Sequence, residues 1–149
     1  MIGIFIFILA IVILIAYTVL STFSQKAQSM PSMGDTGKNI LQSQTDRYIP
    51  LWDSLFGFLF IGASLAAAIS AYFIDTHPIF FILTIIMLGI FIAIGAVISN
   101  AYYSVETSAA FSSFSSSFQL MHYLMNHLAH YILVEGALIV IALFTKARQ

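Results

Sequence analysis

The chain has 149 residues, of which 60% are hydrophobic and only 7% charged, with a formal net charge of −1. Soluble domains carry roughly a quarter charged residues, so the five Lys and Arg and six Asp and Glu present are too few to cover an outer surface in water, and lipid must take that place. The near-neutral charge without a basic cluster excludes a nucleic-acid partner, and the absence of cysteine excludes disulfides, thiolate metal sites and a cysteine nucleophile.

The first apolar run, Ile2 to Leu20, predicts a helix over residues 2–22. At 1.5 Å per residue it is about long enough for a hydrocarbon core of roughly 30 Å. No Lys or Arg precedes it, and it outlasts the apolar part of a secretory signal peptide, so it reads as a retained anchor. Residues 23–50 then hold three of the five basic side chains, Lys26, Lys38 and Arg47, together with Pro31, Gly34, Gly37 and Pro50. Those turn formers predict a polar loop with a short helix near Lys38 to Thr45.

The next helix is expected over residues 51–73. Pro50 and Asp53 suit its start, and Trp52 suits the membrane interface. Gly62, Ala66 and Ser70 recur every four residues along it, a small-residue face that allows another helix backbone to approach closely. Asp75 or Thr76 is placed to cap the helix after the turn at Pro78, and capping explains Asp75 and His77 better than an acid and base pair does. A third helix over residues 79–98 is uncharged and carries a second set of small residues, Gly89, Ala93 and Gly95.

Residues 99–119 are rich in Ser and Phe. Phe111, Phe114 and Phe118 recur at helical spacing, which predicts a segment lying in the membrane interface. The last helix is expected over residues 120–145, ending near Lys146 and Arg148, cations suited to the negative end of a helix dipole. Its first half is amphipathic, and its apolar half contains Glu135.

The fold class these elements imply is all-α, an integral membrane helical bundle with three or four transmembrane helices. Orientation is weakly specified. Lys26, Lys38 and Arg47 favour a cytoplasmic first loop, whereas four spans would put Lys146 and Arg148 on the outside.

The densest polar group is MHYLMNHLAHYILVE, with His122, Asn126, His127, His130, Tyr131 and Glu135. His127 and His130 are helical neighbours and therefore candidate metal ligands. Their spacing matches no helical zinc motif, and one helix cannot turn His122 and Glu135 to the same side. Asn126, His127, His130, Tyr131 and Glu135 thus read as a polar intramembrane cluster, with interhelical packing favoured over a metal site or a proton path. Glu135 is the residue most in need of a partner, since an acid in an apolar helix is costly unless it is protonated, paired or hydrated. His127 is the candidate for that role. No cofactor is expected. No nucleophile elbow, glycine-rich phosphate loop or helical zinc-protease signature occurs, so enzymatic function has no support.

Thr76, His77, Pro78, Phe80 and Phe81 before the third helix, with Ser99, Asn100, Ala101 and Tyr102 after it, resemble small hydrophobic membrane proteins encoded by bacteriophages, including tailless phages with an internal membrane. The resemblance lies in residues 76–103. It implies a structural protein of a virion membrane or a membrane-bound assembly apparatus, with no catalytic residues to carry over. The expected partners are the lipid bilayer and either further copies of the chain or other membrane or capsid subunits. The rival expectation is a channel-forming or holin-like protein, or a small subunit of a transporter or energy-converting complex, in which Glu135 and His127 face water.

Overall fold

The computed structural model describes residues 2–73, 78–112 and 117–147, and among these residues there is no strand. Among the described residues five helices follow one another: α1 (Ile2–Gln28), α2 (Asp35–Phe73), α3 (Pro78–Glu106), α4 (Gln119–Asn126) and α5 (Leu128–Ala147). All but α4 are long and apolar enough to cross a membrane, so the chain is an all-α bundle with four candidate spans. Its outer surface is greasy: Phe5, Phe58, Phe73, Val97 and Ile141 are all exposed, as expected where hydrocarbon replaces water.

One stripe of α1 forms the seam of the bundle. Ile6, Ala10, Ile13, Leu14 and Tyr17 are buried at intervals of three and four residues, and Ser21, Ser24 and Ala27 continue the stripe. The small side chains in its second half allow α2 to lie close, and the Gln28 amide donates to Gln42 Oε1 at 3.0 Å across the pair. In lipid such a seam gains little from leaving the solvent, since hydrocarbon is as apolar as the protein interior. Close dispersion contact holds it together.

The expected loop over residues 23–50 is helical except for a short turn at residues 29–34. Hydroxyls near its start bond back along α1, Ser21 and Thr22 both donating to the Thr18 carbonyl, so these side chains cost the helix no unsatisfied groups. Pro50 lies inside α2 rather than at its start. Its missing N–H and ring clash would cost an isolated helix about 3 kcal/mol, but Tyr48, Ile49 and Trp52 pack against the core on either side of it, and this packing overrides the local preference. The 39 residues of α2 extend for about 58 Å, nearly twice the hydrocarbon thickness. Its polar first half therefore stands clear of the hydrocarbon beside the end of α1 as a helical stalk. Tyr17, Tyr48, Trp52 and Phe118 stack at the foot of that stalk, with ring centroids 5.4–6.5 Å apart, as aromatics at headgroup level do.

Two further boundaries differ from expectation. Residues 99–106 continue α3 instead of opening an interfacial segment, and the last helix breaks at His127 into α4 and α5. Phe118, expected against lipid, is fully buried in the core, and Phe111 packs half-buried beside it. Asp75, His77, Phe114 and Arg148 lie outside the described residues, as does the side chain of Lys146.

Candidate functional site

Two polar sites stand out in a bundle otherwise made of hydrocarbon. The first is built around α4, which buries Met121, Leu124 and Met125 beneath it. The residue preceding α4 is Phe118, which has no side-chain oxygen to satisfy the first amides of the helix. Asp53 supplies both oxygens from α2: Leu120 N–H donates to Oδ2 at 3.0 Å and Met121 N–H to Oδ1 at 2.7 Å. Asp53 was expected at the start of its own helix; it instead caps another one. Gly57, one turn further along α2, is buried against Leu120, which any side chain there would meet.

The far end of α4 is held by Glu106, the last residue of α3. This carboxylate is 2% exposed. His122 Nδ1 lies 2.8 Å from its Oε2, and Asn126 donates to its Oε1 at 3.3 Å. Ser99 Oγ donates to the Asn126 carbonyl at 2.8 Å, which absorbs one of the open carbonyls at the end of α4. Beneath this group lies Tyr102, fully buried, its hydroxyl beside the Glu106 carboxylate. The same His122 Nδ1 lies 3.2 Å from the Asn126 amide nitrogen, so Glu106, His122 and Asn126 form one polar group. The His122 side chain is 45% exposed, so the pair is half in contact with the outside.

Beyond the break, His127 Nδ1 approaches the Tyr123 carbonyl at 2.9 Å, and its ring stacks on Tyr123 with centroids 4.6 Å apart. His127 and His130 are both exposed, with rings 5.9 Å apart. They share with His122, Asn100 and Tyr103 an open cleft of about 590 Å³. Among the described residues no group of three or more His, Cys, Asp or Glu is arranged to hold a metal.

The second site lies deeper. Glu135 on α5 accepts a hydrogen bond from Ser64 Oγ on α2 at 3.2 Å, and both line a cavity of about 430 Å³ between α1, α2, α3 and α5. Apart from these two and Tyr131, the lining is aliphatic, phenyl or glycine. Tyr131 packs edge-on to Phe60 with ring centroids 5.4 Å apart. The polar cluster read from the sequence is therefore divided in two. Asn126, His127 and His130 belong to the cleft, Tyr131 and Glu135 to the cavity, and Glu135 meets Ser64 rather than His127.

The expected packing glycines divide as well. Gly95 is buried, where an added Cβ would lie 3.4 Å from the Ala129 backbone, and α5 answers with Gly136, which faces Leu88. Gly62, Ala66, Ser70, Gly89 and Ala93 are exposed, with nothing within 4 Å of a Cβ at Gly62 or Gly89. Glu106, Gly57 and Gly136 escaped the sequence reading. The signal for Glu106 was an acid one turn after the Tyr102–Tyr103 pair, followed sixteen residues later by a histidine. No family model, characterised protein or solved structure matches the chain.

Proposed function

We propose that the chain is a structural integral membrane protein that packs in multiple copies and links the bilayer to a protein shell or complex through the α1–α2 stalk. In this reading the bilayer is that of a virion or of a membrane-bound assembly apparatus, as the resemblance of residues 76–103 to phage membrane proteins implies. The observation that carries the proposal is the length of α2. Its first half, with Asp35, Lys38, Asp46 and Arg47, reaches beyond the hydrocarbon as a braced helical pair, which offers a fixed surface to a partner. The carboxylates of Asp53 and Glu106 are engaged in holding α4, which suits a scaffold more than a conduit.

Crosslinking in the native membrane tests this reading. Single cysteines at Gly62 should join copies into crosslinked dimers, and cysteines at Ser32 should crosslink to a protein outside the bilayer. A chain that stays monomeric at every protein-to-lipid ratio overturns it.

A second reading, a channel-like or transport subunit, is favoured by one feature, the Ser64–Glu135 pair in its cavity. Replacing Glu135 by Gln should then abolish or pH-shift conductance in liposomes. Unchanged conductance with intact assembly removes that reading.

A further inference from the structure

Glu135 is placed unlike the other acids of the bundle. Asp53 is met by two backbone amides and Glu106 by an imidazole and an amide, whereas the hydrogen bond from Ser64 is the one given to the Glu135 carboxylate, and no Lys, Arg or His among the described residues forms an ion pair with it. It sits opposite Ser64, twelve residues along α2 from the interfacial Trp52, hence about 18 Å deeper, near the middle of the bilayer. A charged carboxylate there is strongly disfavoured, and it either takes up a proton or is joined by a cation.

The space beside it is of ligand size. A cavity of about 430 Å³ falls within the roughly 300–1,000 Å³ of small-molecule sites, and a greasy lining with a few polar groups that fix orientation is what such sites share. Two aromatic rings, Phe60 and Tyr131, packed edge-on to each other, line the cavity together with the carboxylate, and aromatic rings attract weakly hydrated cations. A small, strongly hydrated ion has too few oxygen ligands here to replace its water. A cation whose charge is spread over or shielded by hydrocarbon loses little on entering.

We infer that the cavity between α1, α2, α3 and α5 is a binding site for a lipophilic organic cation, with Glu135 as its counter-charge, Ser64 orienting the carboxylate, and Phe60 and Tyr131 against the hydrocarbon of the ligand. This site goes beyond the scaffold role, and its failure leaves that role untouched, since multi-copy assembly is read separately by crosslinking.

The test uses the full chain in phosphatidylcholine nanodiscs, with tetraphenylphosphonium as the probe and tetraphenylborate, of the same shape and opposite charge, as its control. Binding is followed by equilibrium dialysis against empty nanodiscs. The phosphonium should bind saturably at one per chain, the borate should not, and Glu135→Gln should weaken phosphonium binding by about tenfold or more, the size of one lost charge interaction. Ile94→Trp, which fills the cavity while leaving the carboxylate in place, should remove binding too, and it decides the matter should the Gln variant fail to fold. Equal binding of both ions, or phosphonium binding unchanged in either folded variant, marks a merely greasy groove and overturns the inference. So does the absence of saturable binding.

Discussion

Asp53, in the middle of α2, accepts the backbone N–H of Met121, sixty-eight residues later, at 2.7 Å. A helix normally takes its cap from the residue just before it, but Phe118 offers no acceptor, and the missing group is imported from another helix. Asp53→Ala should therefore loosen α4 more than any other helix. A lost N-cap costs about 0.5–2 kcal/mol, and hydrogen exchange should show it as faster exchange over residues 119–126. Asp53→Asn, which keeps one oxygen, should fall between the variant and the native chain. Equal exchange in all three sinks the capping role.

The Glu106–His122 pair calls for a double-mutant cycle. Removing the carboxylate in Glu106→Ala strands the Asn126 amide and the His122 N–H, at about 1–3 kcal/mol. His122→Ala alone should cost less, because that ring is half exposed and half-hydrated pairs contribute little. The two effects should be non-additive by at least about 0.5 kcal/mol in thermal unfolding of the detergent-solubilised protein. Simple additivity means that the contact is incidental.

The glycines separate internal packing from assembly. Gly95→Val forces the added side chain against Ala129 and Ile132 and should destabilise the folded chain by about 1–3 kcal/mol. Gly62→Val meets nothing within 4 Å, so unfolding should change by no more than about 0.5 kcal/mol. If copies pack on this face, as the scaffold reading holds, Gly62→Val introduced into a chain with its crosslinking cysteine at Ala66 loses the crosslinked dimer while remaining folded. A destabilised Gly62 variant, or an unaffected Gly95 variant, contradicts this assignment of faces.

Crossing by all four candidate helices would fix which segments share a side. Cysteines at Ser32, in the turn before α2, and at Ser108, just after α3, should react with the same impermeant reagent from one side of the membrane, and a cysteine at Gln149 from the other. Labelling of Ser32 and Gln149 from the same side reduces the crossings to three.

The greasy runs were legible because their lengths match the bilayer and their charge is almost nil, which made the helical, membrane-spanning fold readable before any coordinates. The polar stretch from Phe23 to Pro50 was not, because its turn formers describe local preference alone. The packing of Tyr48, Ile49 and Trp52 that carries the helix through Pro50 depends on residues far along the chain. Asn126, His127 and Glu135 were recognisable as a polar group, but the break at His127 turns the two halves apart, and no single-helix geometry foretells it. Glu106 was invisible for the opposite reason. In a serine-rich stretch it looks like an ordinary surface acid, and only the return of α4 over α3 buries it.

The import of a cap from α2, together with a second hold from α3, makes α4 a joint between two helices that hardly touch each other. The seat for α4 needs both α2 and α3, and these two helices meet chiefly through α4 and α5, which pack against each of them. A chain cut before residue 119 would lack the two amides that α4 brings to Asp53 and the imidazole and amide it brings to Glu106.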